Sequence, residues 1–595
     1  MVEYAAPVKD MQFVLEQLCD VRGLAALEAF ADFDADSLGD VLHEAGRFVG
    51  DVIAPTNHEG DKVGSRRNDD GTVTTPPGFK QAYRQWVDGG WAAAPFDPTY
   101  GGGGLPWSVA IAVSEMVTAA NMAFSLCPML TQGAIHMLGA HGSDEQKATY
   151  LQQLISGEWS GTMLLTEPQA GSDVGALTTR AVKQPDGTYR LFGQKIFITW
   201  GEQDLTENIV HITLARTPDA PAGTRGISVF IVPKFLVASD GSIGGRNDIT
   251  CVGIEHKMGI HASPTCVMAL GERDGAVGYL IGDEQQGMRN MFTMMNFARL
   301  SVGVEGLAVG ERSYQQSVAF AHERRQSRAV GSTETASPII EHPDVRRMLL
   351  TMKANVEAMR ALCYVNAAAI DRGHAAADEA TRTRNQELAD LLTPISKGWC
   401  TDVGSDVASL GIQVHGGMGF IEETGVAQHY RDVRIAAIYE GTNGIQAIDL
   451  VGRKLPMRDG AVVRELLATM RGLDAELAAS DLDDLRAPLT HAIDTAAEAT
   501  EWLLRNRANQ ADVLAGATPF LRMAGLVAGG WLLARAALIA SQQRAATTAD
   551  PETRAWFDAK IATARFFVTQ LLPGAAALLP AVTGGAGQLD PLAFA

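Results

Sequence analysis

A carboxylate set between an aromatic ring and a glycine, Tyr439-Glu440-Gly441, stands just before Thr442-Asn443-Gly444 and the apolar positions Ile445, Ile448 and Val451. The spacing of those three predicts a helix, and Thr442 or Asn443 is of the type that caps free backbone N–H groups at a helix start. Glu440 therefore lies on the approach to a helix N-terminus, beside a residue with no side chain, where a flat ligand can come close. The chemistry open to a carboxylate there is proton transfer; a solvated residue at a helix start is the plainer alternative. A second stretch with chemical content is Met163-Leu164-Leu165-Thr166-Glu167-Pro168-Gln169-Ala170-Gly171-Ser172-Asp173. Pro168 and Gly171 force a turn, and Thr166 and Ser172 supply hydroxyls beside exposed backbone donors and acceptors, an arrangement suited to the edge of a heterocycle.

Further strings give these two a context. Gln413-Val414-His415-Gly416-Gly417-Met418-Gly419-Phe420, then Tyr430-Arg431-Asp432-Val433-Arg434, precede the glutamate. Together they resemble the C-terminal signature of the acyl-CoA dehydrogenase family, in which a Gln-x-x-Gly-Gly-x-Gly turn and an Arg-Asp-x-Arg run lead to Tyr-Glu-Gly-Thr. The spacing from Gln413 to Glu440 is that of medium-chain members. Met163 to Asp173 resembles the family's Thr-Glu-Pro-x-Ala-Gly-Ser-Asp string. Gly193-Gln194-Lys195-Ile196-Phe197-Ile198-Thr199-Trp200-Gly201 resembles its Gly-x-Lys-x-Trp-Ile-Thr-Asn-Gly, with Phe197 for the usual Trp and Trp200 for the usual Asn. The first exchange keeps an aromatic wall; the second leaves the local turn open.

The resemblance implies a residue set. Glu440 is the catalytic base. Met163, Leu165, Thr166, Ser172, Phe197, Ile198 and Thr199 line a flavin, FAD, with Thr442 and Gly444. Ser172 also touches the acyl-CoA, Gly441 leaves room for it, and Asn296-Phe297-Ala298-Arg299 stands where the family's Asp-x-x-Arg meets coenzyme A. Without the family, Arg299 in an apolar helix reads as a snorkelling or ion-paired residue. Within Glu323-Arg324-Arg325-Gln326-Ser327-Arg328, Arg324 and Gln326 match positions that reach the FAD of a partner subunit; Ser327 and Arg328 replace the usual Phe-Gly. Gln413, Gly416 and Gly417 receive the other end of that cofactor. Gly417 to Glu422 is not a Rossmann fingerprint, since Glu422 fills the sixth place and a helix leads in.

These residues need a scaffold, and 595 residues can bury several domains. With 46% hydrophobic and 20% charged residues the chain reads as soluble and globular, and a formal charge of −20 argues against a nucleic-acid surface. The six cysteines show no Cys-x-x-Cys, so no zinc site or disulfide framework is indicated. Residues 1–20 lack a secretory pattern, and the apolar runs 523–534 and 566–572 fall short of a bilayer span, so no integral membrane segment is expected and the cytoplasm is.

The pattern predicts a mainly α fold with a central β domain. Residues 1–35 form a helical extension with Met11, Val14, Leu15 and Leu18 on one face. Helical residues 36–159 follow, with a capping box at Ser143 to Gln146 and a surface loop at Gly101 to Gly104. A small β domain, barrel-like by the resemblance, spans 160–275 with a hairpin turn at Asp186-Gly187. Helical residues 276–455 are a four-helix bundle by the same resemblance. One helix runs from Asp344 to about Asp371; another passes Leu388 to Val414, with Pro394 as a kink or true start. Residues 456–595 are an appended helical domain, which places the chain with the extended subgroup of the family. The implied activity is FAD-dependent α,β-dehydrogenation of an acyl-CoA, either 3-(methylthio)propanoyl-CoA or a short- or medium-chain fatty acyl-CoA. The implied partners are an electron-transfer flavoprotein as acceptor and a second copy in a homodimer. An acyl-CoA oxidase would share these residues, and a catalytically silent flavin-binding scaffold is the alternative of a different class.

Overall fold

The computed structural model describes residues 4–238, 240–546 and 550–594. The chain forms two compact units, one of Arg47–Leu105 and Ala120–Ala298 and one of Met1–Gly46, Pro106–Ala119 and Arg299–Ala595.

The first unit joins helices to a sheet. Helix Met122–His141 starts where the Asn121 side chain accepts the Phe124 N–H, and helix Asp144–Ser156 starts on the reciprocal capping box of Ser143 and Gln146. The Gly101 to Gly104 loop is folded on itself, with the N–H groups of Gly102, Gly103 and Gly104 bonded to Asp97, Ala93 and Phe96 carbonyls. Those donors are spent, so the loop is no phosphate cradle. In the sheet the strands run in the order Ile249–Ile254, Thr265–Leu270, Tyr189–Thr199, Ala276–Leu280, Ile227–Pro233, Asn208–Arg216, Trp159–Leu164. Arg180–Lys183 pairs with Tyr189–Thr199 through the turn at Gly187 (φ +86°) and also bridges Arg216, which closes the central strands into a ring. Strand Ala276–Leu280, which the sequence division sets outside the β domain, lies in the middle of it. Its central glycine hides it in the sequence: a Cβ at Gly278 would come within 2.5 Å of Leu191.

One buried pair fixes the Thr166 to Ser172 loop in this unit. Glu167 accepts from the Lys195 ammonium at 2.8 Å and from the N–H and hydroxyl groups of Thr178 and Thr179. Burial would raise the Glu167 carboxyl, but Lys195 and these donors overcome it and hold it down to about 2. Burial pulls Lys195 itself down to about 8 against the attraction of Glu167. The carboxylate therefore gains on folding while the ammonium loses. Glu167's share of stability is complete above the ordinary carboxylate range and is lost as pH falls towards about 2.

The second unit is helical. Helices Gly287–Glu323, Pro343–Ala375 and Glu379–His415 form its centre. The first and third touch backbone to backbone, because a Cβ on Gly404 would sit 2.3 Å from the Gly306 carbonyl oxygen. Pro394 is inside Glu379–His415, whose start is capped by Asp378, so it is neither the start nor a break. The appended domain lays helix Ala517–Ala546 on this centre: Gly525 faces Trp399, where a Cβ would come 2.1 Å from the indole, and Gly529 faces Ala358. Trp399 is 1% exposed.

The N-terminal extension packs as its pattern predicts, with Met11, Val14, Leu15 and Leu18 all buried. A chain of buried charges ties it down. Arg360 bonds Asp10, Glu115 and Glu311, each at 2.6 or 2.7 Å, and Lys560 bonds Asp10 at 2.6 Å and Glu357 at 2.7 Å. Tyr364 donates to Glu115. The expectation that no stretch reaches bilayer length is corrected, because successive helical segments join short apolar runs. Ala517–Ala546 and Pro551–Thr583 are both long and apolar enough to cross a membrane, with 78% and 28% of their apolar 18-residue stretches buried. The first is a core helix; the second is mostly uncovered by its own unit.

Gly525→Val should lower stability by about 1–3 kcal/mol through forced overpacking against Trp399, read as a fall in urea midpoint with the slope unchanged. Lys195→Met should cost about 3–5 kcal/mol, because it strands the buried Glu167 carboxylate. A midpoint within error of wild type would remove the pair from the account of this loop.

Candidate functional site

The stretch from Tyr439 to Gln446 belongs to the helical unit. Thr442 is the cap of helix Asn443–Asp449, its hydroxyl accepting the Ile445 N–H at 3.2 Å. Ahead of the cap the chain turns through two left-handed residues, Glu440 (φ +54°) and Gly441 (φ +80°). For a glutamate that conformation costs of order 1–3 kcal/mol and must be imposed by its surroundings. The Gln446 amide imposes it, donating to the carbonyls of Glu440 (3.3 Å) and Gly441 (3.0 Å). Among the described residues the Glu440 N–H donates to no protein group. The turn thus presents a carboxylate and an unused backbone donor side by side.

Glu440 is half-buried and makes no ion pair among the described residues. Burial raises its pKa, opposed by the positive charges of Arg299 and Lys397. Arg299 is 4% exposed and bonds Asp449 at 3.4 Å. This guanidinium is a buried positive charge that acts on the glutamate. Thr442 spends its acceptor on the cap, Gly444 is exposed, and Asn296 belongs to the other unit, half-buried on helix Gly287–Glu323.

Six residues here carry no site role in the sequence pattern. Asn443 accepts from Lys397 Nζ at 2.9 Å and donates to the Gly398 carbonyl, the Thr401 hydroxyl and Asp402. Tyr439 donates its hydroxyl to Glu305. Glu305 and Lys397 are 1% and 0% exposed, and Gln446 and Asp449 complete the group. The available signal was a charged residue inside an apolar helical stripe, as at Arg299. Glu305 between Val304 and Leu307, and Lys397 between Ile395 and Trp399, carry the same signal.

In the sheet unit the two signature strings lie side by side. The Ile196 N–H donates to the Thr166 carbonyl at 2.9 Å, and Lys195 donates to the Leu165 carbonyl. Met163 and the Ile198 side chain are core, so Ile198 offers only its backbone, whereas Ser172 is exposed. Phe197 takes φ +58° and is 58% exposed, its ring turned to the outside. Thr199 uses its carbonyl on the Thr162 hydroxyl. Trp200 resolves the open turn: it is 1% exposed, donates its indole N–H to the Ala123 carbonyl and stacks on Phe79. An exposed aromatic face with neighbouring hydroxyl and amide groups fits the flat ring of a flavin.

The third group gathers at one end of the helical unit. Phe320 stacks on His415 at 4.3 Å, which brings the end of helix Gly287–Glu323 to the end of Glu379–His415. Arg324 and Gln326, 3.5 Å apart, and Gln413, Gly416 and Gly417 are all exposed there. Gly416 has φ +59°, and among the described residues no atom other than those of its chain neighbours lies within 4 Å of a Cβ placed on it or on Gly417. That open backbone beside a cation fits an anionic group such as a pyrophosphate.

Known proteins place the chain. Family models for the acyl-CoA dehydrogenase N-terminal, middle and C-terminal domains match residues 40–158, 162–272 and 285–455, and an acetyl-CoA dehydrogenase C-terminal-like model matches 462–590. The 3-methylmercaptopropionyl-CoA dehydrogenase of Ruegeria pomeroyi is 48% identical over 96% of both chains. The solved structure of Caenorhabditis elegans ACDH-11 in complex with C11-CoA matches in fold, at 20% identity and TM-score 0.74, over 96% of this chain and 92% of its own. A chain from a structure titled for the electron transferring flavoprotein of Acidaminococcus fermentans is 25% identical, TM-score 0.58, over 70% of this chain and 97% of its own. With four models covering most of the sequence, this chain belongs to the acyl-CoA dehydrogenase family, FAD-dependent oxidoreductases that act on acyl-CoA thioesters.

Proposed function

We propose that Glu440 is the base that removes the α-proton of 3-(methylthio)propanoyl-CoA or of a short- or medium-chain fatty acyl-CoA, yielding the trans-2-enoyl-CoA. The observation that carries this reading is the Glu440 turn, where a carboxylate without an ion pair stands beside an unused backbone N–H. The 3-methylmercaptopropionyl-CoA relative supports the thioether substrate. Bound FAD supplies the acceptor for the β-hydride. As the α-proton leaves, charge grows on the thioester oxygen, and the Glu440 N–H is a donor that can meet it. One such donor is worth ~3–4 kcal/mol of barrier. Burial raises the carboxyl and so strengthens it as a base, while Gly441 leaves space for the thioester. Asn296 offers an amide to coenzyme A, and Arg299 balances the charge of Glu440.

Met163, Leu165, Thr166, Ser172, Phe197, Ile198 and Thr199 would hold the flavin ring, and Thr442 and Gly444 are further candidates for flavin contacts. Arg324, Gln326, Gln413, Gly416 and Gly417 would hold the nucleotide end across a dimer interface. The exposed apolar residues Met418, Phe420 and Ile421 next to that group support such an interface. The extension, laid on the helical centre by Ala517–Ala546, supports assembly no larger than a homodimer. Electrons then pass to an electron-transfer flavoprotein in the cytoplasm, where the six buried, free cysteines stay reduced.

Glu440→Gln should keep fold and FAD but slow flavin bleaching by substrate by at least ~10²–10⁴-fold, measured anaerobically; bleaching near the wild-type rate would sink the assignment. Arg324→Ala should weaken FAD occupancy and dimerisation together, since the two are linked by mass action. Light scattering and flavin absorbance check it, and a monomer with stoichiometric FAD would show the interface reading wrong.

A further inference from the structure

Two buried ionisable side chains flank the Glu440 turn without taking part in the reaction as derived. The residue before the base, Tyr439, is tied to Glu305 on helix Gly287–Glu323. Asn443, three residues after the base, is tied to Lys397 on helix Glu379–His415. Those two helices meet backbone to backbone at Gly306 and Gly404, so neither side chain can withdraw to solvent. Among the described residues Glu305 Oε1 has no hydrogen-bond partner, and the Lys397 ammonium donates to the neutral amide of Asn443. Among the described residues neither forms an ion pair within 4 Å, yet Lys397 is close enough to act electrostatically on both Glu305 and Glu440. A core that only needed packing would fill both positions with aliphatic side chains, because unpaired buried charges are costly.

We propose that Lys397 and Glu305 are positioning residues that set how strong a base Glu440 is, through charges held at fixed places behind the turn. This rests on the reading of Glu440 as the base. The ionisable groups around it in this unit are Arg299 and Glu305 from Gly287–Glu323, Lys397 and Asp402 from Glu379–His415, Tyr439 in the turn, and Asp449 and Arg453 beyond it. Burial raises Glu305 to about 8, opposed by Tyr439 and Lys397, and burial lowers Lys397 to about 8, opposed by Glu305, Glu440 and Asp402. Both titrations act on Glu440 with one sign. Below that pH a neutral Glu305 and a cationic Lys397 hold the base weak; above it, loss of the cation and gain of an anion make it stronger. As coupled groups they titrate as a pair.

The test is anaerobic bleaching of the FAD-loaded, full-length enzyme by butyryl-CoA, from about pH 6 to about pH 9. In the wild type the rate should rise once with the ionisation of Glu440 and again as pH passes about 8. Lys397→Met should move the first inflection up by about one unit, the scale of losing one nearby opposite charge, and Lys397→Arg should bring it back towards wild type. Where Lys397→Met does not fold, Lys397→Met with Glu305→Gln removes both buried charges and should show the same upward move. A wild-type profile flat above the first inflection would overturn the proposal. So would variants slowed equally at every pH with the inflection unmoved, the mark of a merely structural role. Failure of the base assignment reads differently: Glu440→Gln would then bleach normally, whatever the pH profile.

Discussion

The Arg360 guanidinium is the constraint on which the helical unit depends. Buried at 1% exposure, it meets carboxylates from the N-terminal extension, from residue 115 and from helix Gly287–Glu323, while it sits itself on Pro343–Ala375. Burial alone would weaken this cation, but Glu115, Glu311 and Asp10 hold it firmly charged. Removing any one partner leaves a buried charge uncompensated, so the assembly stands or falls as a group. Because Gly287–Glu323 also carries Arg299 and Glu305, fixing that helix fixes the electrostatics of the Glu440 turn.

Around the turn, backbone strain and charge answer different needs. Gln446 and the Thr442 cap hold two left-handed residues in place, which frees one N–H and aims one carboxylate. The nearby cations stop short of an ion pair with Glu440. A paired carboxylate would be a weak base, and one with no cation near it would stay protonated.

Much of this was legible in the sequence because the signature strings are local. Tyr439 to Gly444, Met163 to Asp173 and Gly193 to Gly201 each fold as one turn or strand pair, so residue order carries their geometry. The helical stripes of Pro343–Ala375 and Glu379–His415 were readable from period alone. What escaped was set at long range. Strand Ala276–Leu280 lacks an alternating apolar pattern because Gly278 must clear Leu191, and Pro394 is tolerated because the helix around it is held by packing on both sides. Lys397 and Glu305 sit 92 residues apart, and only the close approach of two glycine-bearing helices brings them to one site. Arg299 was found by its motif, but its burial against Asp449 depends on a partner 150 residues away.

The bond between Asp10 and Lys560 joins positions 550 residues apart. On the ribosome, the segment that carries Asp10 emerges 550 residues before its ammonium partner. Through that interval Asp10 has at most Arg360, and the apolar face of Met11, Val14, Leu15 and Leu18 has only part of its cover. Closure of this unit around Asp10 is therefore a late event in folding, set by a contact of very high sequence separation.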